Sequence, residues 1–461
     1  MKKKVAVAMS GPVKSRLSSG SRGKRSGKVA VAMSGGVDSG VAAALLVKAG
    51  YKCAGFHMHL WRESLSVNEL TSYGLTSFEN KCCSTESLEA ARKTCHKLGI
   101  PFYTIDFSKI FKKKIVDYFL SKYAAGLTPN PCVMCNKYIK FGQLLDYVRK
   151  LGFDYLATGH YARIVRGAEV AHRNFDSASD SLAKNRPLSN ESFRRSQGEV
   201  SQNLWAPRAP LYRLLTGVDK FKDQSYFLYN FTQEQLAHVL FPVGDYSKKQ
   251  VKVMAEKWNL PVARRPESQE ICFLPETDYR PFLRRQISKK IIPGEVVDTE
   301  GRVIGRHYGL PLYTIGQRHG FKIVDGKYEV RSGIIPPFYV IGKDGKKNRL
   351  IVGFGKEAER KEFWVKNVNW INQLAAKRLP LDAKVRIRHQ GELLKCKIKN
   401  VKLKMTKVVL DEPERGIASG QAAVFYKKCK IKNLKLKIDD YEVLGGGIIA
   451  IDPVKASLTG S

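Results

Sequence analysis

Residues 28–39 read KVAVAMSGGVDS, and residues 4–15 read KVAVAMSGPVKS. The two stretches share eight residues and then differ, because Gly36 corresponds to Pro12 and Asp38 to Lys14. The run KVAVAM is typical of a buried parallel strand. Only the second copy is followed by an apolar helical pattern, GVAAALLVKAG. We therefore predict that the second copy is the working one and that it opens the main domain.

The loop SGGVDS between this strand and this helix suits a phosphate group. Gly35 and Gly36 permit a tight turn, and the N–H groups of the turn and of the helix N-terminus then face one point. The first copy lacks these features, because Pro12 has no N–H and Lys14 replaces the acid. No lysine follows in the spacing of a GxxxxGK[ST] loop. The stretch instead resembles the pyrophosphatase loop of enzymes that split ATP into AMP and pyrophosphate.

The 461 residues carry a formal net charge of +38. Such a basic excess favours a polyanionic partner, most simply nucleic acid, although a lysine-rich proteome also gives lysine-rich surfaces. No run of eighteen apolar residues is present, and the apolar stretch after MKKK is too short for a signal peptide. Nine cysteines without such a signal favour reduced thiols and a cytoplasmic location.

The order of strand and helix patterns predicts several units. Residues 28–290 alternate strands and helices, which predicts an α/β domain with a parallel sheet, interrupted by a flexible insertion at 167–210. From about Ile291 onwards, short strands with glycine turns replace the helices. We predict a disordered extension with the degenerate loop copy at 1–27, a central β-rich domain at 291–358, a C-terminal β-barrel at 359–452 and a tail at 453–461.

Three cysteines are candidates for chemistry. Cys132 and Cys135 form a C-x-x-C motif just before a predicted helix, whose N-terminus favours thiolate. Cys272 lies in ICF, where a buried, inert thiol is the simpler interpretation from residue type alone. A C-x-x-C motif is also half of a zinc site, but the adjacent pair Cys82–Cys83 has poor spacing for the other half. We predict no resident metal.

Seven motifs in this order resemble the bacterial tRNA-specific 2-thiouridylase (MnmA) family: SGGVDS, TPNPCVMCNK, ATGHYAR, KDQSYFLY, ICF, YTIGQRHG and GQAAVFY. The resemblance extends from Lys28 to about Ile449 and leaves out 1–27 and 167–210. It implies a pyrophosphatase-loop domain of the adenine nucleotide alpha-hydrolase-like type, followed by a small β domain and a β-barrel.

The resemblance also implies an activity. ATP, with Mg²⁺, would adenylate the C2 oxygen of the wobble uridine of tRNA, and a persulfide would then give 2-thiouridine, AMP and pyrophosphate. Cys272 would carry the persulfide and Cys135 would be the nucleophile, the two forming a disulfide as sulfur leaves. The implied partners are tRNAs for lysine, glutamate and glutamine, and a persulfide donor such as a cysteine desulfurase or a sulfur-relay protein. No membrane partner is implied.

Further positions carry over from the motifs. The implied ATP contacts are Ala32, Met33, Ser34, Gly35, Gly36, Val37, Asp38, Ser39, Met58 and Gly159. The implied tRNA contacts are Asn130, Pro131, Cys132, His160, Lys222, Asp223, Gln224, Arg388, His389 and Gln421. Some family members have an acidic residue at the position of Cys132, so the acid–base role of that position is open here.

Two alternatives compete with this interpretation. An ammonia-using synthetase with the same loop would need an amidotransferase site or an amino-acid pocket, but neither Cys135 nor Cys272. A non-catalytic RNA-binding protein would tolerate Asp38→Ala.

Overall fold

The structure is a computed structural model that describes residues 27–63, 84–166, 170–171, 212–266, 271–274, 276, 278–324, 337–401, 405–431 and 440–450. Three predicted features lie outside this set: the first loop copy, the tail and the Cys82–Cys83 pair. The predicted insertion at 167–210 lies outside it too, except for residues 170–171.

The first domain is built on a five-stranded parallel sheet in the order β3-β2-β1-β4-β8. β1 lies in the centre, and its residues from Val29 onwards are buried, as the apolar run predicts. The strands are β1 (Lys28–Ala32), β2 (Lys52–His59), β3 (Phe102–Asp106), β4 (Tyr155–Ala157) and β8 (Val239–Leu240). The carboxyl ends of parallel strands share one edge, which is where ligands bind in such sheets.

Helices cover both faces of this sheet. The helix after β1 is apolar almost all round, so it packs into the core rather than against solvent. The helices are α1 (Val37–Lys48), α2 (Thr85–Lys97), α3 (Ser108–Phe111), α4 (Asp117–Ala124), α5 (Pro131–Met134), α6 (Leu145–Lys150), α7 (Gln233–Ala237), α8 (Lys248–Lys257) and α9 (Tyr279–Ile287). Wider π-helical segments, Lys112–Val116 and Cys135–Leu144, join α3 to α4 and α5 to α6.

The predicted β-rich half is confirmed. A second five-stranded sheet has the order β11-β10-β9-β13-β12, and GEVVDTEGRVIGRH forms the expected antiparallel hairpin. Its strands are β9 (Gly294–Val297), β10 (Val303–His307), β11 (Lys322–Ile323), β12 (Tyr339–Asp344) and β13 (Arg349–Gly353).

The last sheet contains a closed antiparallel barrel, because β19 pairs with both β14 and β18. Its strands are β14 (Glu359–Trp370), β15 (Leu381–Arg386), β16 (Leu394–Val401), β17 (Met405–Arg415), β18 (Ala422–Ile431) and β19 (Asp440–Ala450). The expectation that helices end at Ile291 was wrong in one place, because Asn372 caps a short helix, α10 (Gln373–Lys377).

The first domain donates strands to the barrel sheet, which the sequence did not indicate. β5 (Ala162–Arg166) pairs with β7 (Tyr212–Thr216), and β7 in turn pairs with β19 of the barrel. β6 (Val170–Ala171), inside the predicted insertion, pairs with the end of β18. A buried ion pair between Arg163 and Asp440 reinforces this junction. The barrel therefore holds a defined position against the first domain.

Among the described residues, each helix is either too short or too polar to span a lipid bilayer.

Candidate active site

The predicted phosphate loop lies at the carboxyl edge of the parallel sheet. β1 ends at Ala32, and α1 begins at Val37 with Gly36 as its N-cap. Gly35 has a φ of +76°, and a Cβ there would lie 2.1 Å from the backbone oxygen of Ser87. Only glycine fits this combination of backbone angle and close approach. The loop therefore has the predicted form, with backbone N–H groups at the start of a helix.

Hydroxyl groups stabilise the turn from within. The Ser39 hydroxyl donates to the Gly36 carbonyl at 3.0 Å and accepts from the Ser34 N–H at 3.3 Å. The Gly36 N–H lies 3.4 Å from the Ser34 hydroxyl. Proline at position 36 would lose this N–H, which agrees with the choice of the second loop copy.

Asp38 is held by two side chains that sequence reasoning missed. The Lys248 ammonium donates to both Asp38 carboxylate oxygens, at 2.6 and 2.8 Å, and the Tyr161 hydroxyl donates to one of them at 2.7 Å. About a third of the Asp38 side chain is exposed, whereas Lys248 is largely buried. The loop's acid is thus fixed by a cation that lies far away in sequence.

Other segments close around the same loop. Gly159, in the loop after β4, approaches Asp38 so closely that a Cβ would lie 2.7 Å from its backbone carbon. The Arg265 guanidinium donates to the Gly35 carbonyl at 3.3 Å and to the Glu86 carbonyl at 2.9 Å. Met58 lies half-buried near the carboxyl end of β2. The structure thus brings Gly159 directly onto the loop.

The C-x-x-C motif lies inside a helix rather than before it, which corrects our expectation. Asn130 is the N-cap and its side chain accepts the Val133 N–H at 3.2 Å, while Pro131 occupies the first helical position. An N-cap asparagine followed by proline is a strong helix start. The helix therefore begins before Cys132, and Cys135 is buried one turn further on.

The ICF segment packs beside this helix. Phe273 is buried, and its ring contacts those of Phe111, Phe119 and Phe282. These contacts hold the segment in place, including the half-buried Cys272 that precedes Phe273. Arg285 on α9 forms ion pairs with Glu63 and with Glu276, four residues after Cys272. The segment is thus held by an aromatic cluster and by a buried charge network.

Cys132 does not have the thiolate character that we expected from a helix N-terminus. Burial, and to a lesser extent the neighbouring Cys272 thiol, raises the pKa of Cys132 to about 11, although Lys140 acts in the opposite direction. Desolvation of the charged form is the largest cause of this shift. The two thiols therefore lie within electrostatic range of each other.

A short link joins the cysteines to the phosphate loop. His160 follows Gly159 and is buried between the rings of Phe141 and Phe241. Burial, together with Lys140, holds the pKa of His160 well below its usual range, so the ring is neutral. His160 Nδ1 lies 2.7 Å from the Thr158 hydroxyl. The helix that carries both cysteines and the loop that touches Asp38 therefore meet at His160.

The KDQ motif forms a turn in which two of the three side chains point inwards. Asp223 is buried and accepts hydrogen bonds from the Gly217 N–H, from Ser225 and from Arg386. The Gln224 side chain accepts the Tyr161 N–H at 3.0 Å. Lys222 keeps partial exposure.

The barrel contributes its predicted residues next to the cysteine helix. The Tyr226 hydroxyl lies 3.4 Å from the Gln421 side chain. Burial raises the pKa of Tyr226, although a hydrogen bond with the Asn130 side chain acts in the opposite direction. The His389 ring lies 4.4 Å from that of Phe227, and burial lowers the His389 pKa. Arg388 is exposed and hydrogen-bonds to Glu414. Residues from three distant motifs therefore border one region.

Sequence reasoning missed Lys248, Tyr161 and Arg265. Tyr161 lies within the ATGHYAR motif and could have been noted, but Lys248 and Arg265 lie in ordinary basic stretches that give no signal.

Within the described ranges, no group of three or more His, Cys, Asp or Glu side chains is arranged to hold a metal ion. Asp38 is a carboxylate at the phosphate loop, and Mg²⁺ that enters with a nucleotide needs only one or two protein carboxylates. The residues present thus fit a nucleotide-borne Mg²⁺.

Family models match most of the chain. The tRNA methyl transferase HUP domain matches residues 27–185 and 204–276, the tRNA methyl transferase PRC-barrel domain matches 280–354, and the aminomethyltransferase beta-barrel domain matches 360–449.

Relatives match over nearly their whole lengths. A tRNA-specific 2-thiouridylase MnmA from Chloroflexus aggregans is 41% identical over 413 residues, which cover 90% of this chain and 95% of the relative. The protein of the same name from Carboxydothermus hydrogenoformans is 38% identical and covers 97% of this chain and 98% of its own length. That from Clostridioides difficile is 37% identical, with 89% and 95% covered.

Proposed function

Because the chain belongs to the tRNA-specific 2-thiouridylase MnmA family, we propose that it is a sulfurtransferase that converts the wobble uridine of tRNA to 2-thiouridine at the expense of ATP. The observation that supports the proposal most directly is the link between the phosphate loop and the cysteine helix: Gly159 approaches Asp38, and the next residue, His160, packs against Phe141 in the segment that begins at Cys135.

The first half of the proposed reaction is activation. A carbonyl oxygen is a poor leaving group, and its adenylation makes it a good one. Residues Ala32–Ser39, with Gly159 and Met58, would hold ATP so that the uridine C2 oxygen attacks the α-phosphate and pyrophosphate leaves. N–H groups at the start of α1 stabilise the phosphates. Mg²⁺ that enters with ATP supplies charge neutralisation for the leaving pyrophosphate.

The second half is sulfur transfer. The terminal sulfur of a Cys272 persulfide attacks C2, and AMP departs with the former C2 oxygen. The Cys135 thiolate then attacks the Cys272 sulfur, which forms a Cys135–Cys272 disulfide and leaves sulfur on the base. An external thiol reduces this disulfide before the next cycle.

Cys132 occupies a different role in this scheme. A thiol with a pKa of about 11 is protonated at neutral pH, so it is a poor nucleophile. It replaces the acid of some relatives as a neutral side chain beside Cys272.

The tRNA would lie across the junction of the first domain and the barrel. Asn130, Pro131 and Cys132 would meet the target base, with His160 lining the buried side, while Lys222, Arg388, His389 and Gln421 would contact the tRNA around it. Asp223 and Gln224 shape the KDQ turn through their inward hydrogen bonds. RNA bases are recognised when they are unstacked, so the uridine would enter the pocket flipped out.

We further propose units at 28–290, 291–358 and 359–452, tRNAs for lysine, glutamate and glutamine as substrates, and a cysteine desulfurase or sulfur-relay protein as donor. A cycle that needs free thiols suits a reducing compartment, which makes the cytoplasm the proposed location.

The test uses cells in which this chain is the sole supplier of the activity. Nucleoside analysis of their tRNA should detect 2-thiouridine at the wobble position, and its absence would refute the proposal. Asp38→Ala should abolish thiolation while tRNA still binds, whereas Asp117→Ala, which alters an exposed carboxylate of the same domain, should leave both intact.

A further inference from the structure

Lys248 occupies a position that lysine usually avoids. It is the first residue of α8, after a capping box formed by Ser247 and Gln250. A positive side chain is unfavourable near the positive end of a helix dipole, and burial of the ammonium adds a desolvation penalty. Lys248 is nevertheless buried, with a relative side-chain exposure of 11%. A lysine at this position therefore needs a favourable interaction that offsets the desolvation and helix-dipole penalties.

The side chain is directed at the phosphate loop. Its Nζ contacts both oxygens of Asp38, the second residue of α1, and lies 5.9 Å from the centre of the Tyr161 ring. The ammonium is therefore within one turn of the N-terminal N–H groups of α1. The SGGVDS loop contains no lysine of its own, in contrast to a GxxxxGK[ST] loop.

We propose that Lys248 is the phosphate-binding cation of this site, held by Asp38 where it can contact the β- and γ-phosphates of a nucleoside triphosphate. The inference rests on the proposed function and adds a residue to it. A cation brought in from α8 would replace the lysine that other phosphate loops carry within the loop.

The backbone of Lys248 has its own anchor, so its side chain can be tested separately. The Lys248 N–H donates to Asp219 at 2.9 Å, and the other Asp219 carboxylate oxygen accepts from the N–H groups of Phe221 and Lys222. Removal of the ammonium leaves this anchor intact. Lys248→Gln is a suitable variant because a neutral amide can still donate to Asp38.

The experiment is calorimetric titration of ATP, pyrophosphate and AMP into the full chain in one magnesium-containing buffer. For Lys248→Gln we expect affinity for ATP and pyrophosphate to fall about tenfold or more, since charge-assisted hydrogen bonds are lost, with AMP affinity little changed. The matched control is Lys249→Gln, an exposed lysine in the same turn, which should bind all three ligands like the wild type.

Two outcomes would overturn this inference and leave the proposed function standing. One is wild-type affinity for ATP and pyrophosphate in Lys248→Gln. The other is an equal loss of affinity for ATP, pyrophosphate and AMP, which would mean that Lys248 has a purely structural role. Melting curves establish that each variant is folded, and Lys248→Met provides a second neutral variant if the first is unstable. A wild-type chain that binds neither ATP nor pyrophosphate would overturn the proposed function together with this inference.

Discussion

Gly35→Ala is the substitution whose cost follows most directly from the structure. At φ +76° a side chain is strained, and the new Cβ would lie 2.1, 2.8 and 2.9 Å from the oxygen, carbonyl carbon and Cα of Ser87. Ser87 cannot retreat easily, because it is buried in the first turn of α2 and its N–H is held by the Ser84 cap at 3.1 Å. We expect about 1–3 kcal/mol from backbone strain and a further 1–3 kcal/mol from overpacking, so about 2–6 kcal/mol in all.

Gly36→Ala is the matched control. Gly36 has a φ of −95°, and the nearest atom to a new Cβ is the Ser34 hydroxyl oxygen at 3.5 Å, an ordinary contact. Alanine reduces the entropy of the unfolded chain but is a poorer N-cap than glycine, and the two effects offset each other to within about 1 kcal/mol.

The assay is thermal unfolding of the full chain, followed by ATP titration of the folded variants. A loss of 2–6 kcal/mol in a domain of this size lowers its melting temperature by roughly 5–20 °C. Gly35→Ala should show that shift and weak ATP binding, whereas Gly36→Ala should melt near the wild type. Equal melting temperatures for the two variants would refute the close contact with Ser87.

The remaining predictions concern the cysteines, the domain junction and the N-terminus. Cys272→Ser should abolish thiolation but not ATP–pyrophosphate exchange. Cys132→Ser should keep most of the thiolation activity, and loss of that activity would assign the Cys132 thiol a catalytic role. The rate at which iodoacetamide alkylates Cys132, measured by mass spectrometry, should be low at neutral pH and increase towards pH 11. The reason is that the pKa of Cys132 is raised to about 11 and only the thiolate reacts. Rapid alkylation at pH 7 would contradict the raised pKa. Arg163→Met leaves the buried Asp440 carboxylate without its ion-pair partner, so it should lower the free energy of unfolding in denaturant by about 3–5 kcal/mol. Lys397→Met, which breaks an exposed ion pair with Asp382, should lower it by about 1 kcal/mol or less. Equal losses would contradict a buried ion pair at the domain junction. Removal of residues 1–27 should leave ATP binding unchanged in titrations. Loss of ATP binding in a truncated chain that is still folded would mean that the first loop copy is the working one.

The local features of this protein were predictable because neighbouring residues determine them. An apolar run, two glycines and an apolar helical pattern gave a buried strand, a tight turn and a helix at residues 28–48, as the structure has them. The same reasoning predicted the hairpin at β9–β10 and the strand-rich second half. The ordered motifs identified the family, which the relatives confirm.

Contacts between distant residues needed the tertiary structure. Lys248 gave no signal in sequence, because it resembles any other lysine in a basic chain until α8 packs beside α1 and brings it onto Asp38. The pKa of Cys132 is raised rather than lowered as we expected, because burial of the thiol disfavours its charged form. The pairing of β7 with β19 joins two units that the residue pattern separates. The sequence by itself thus determined the strand, loop and helix that open the site, whereas packing decided which charges and thiols meet there, because burial and proximity are properties of the assembled fold.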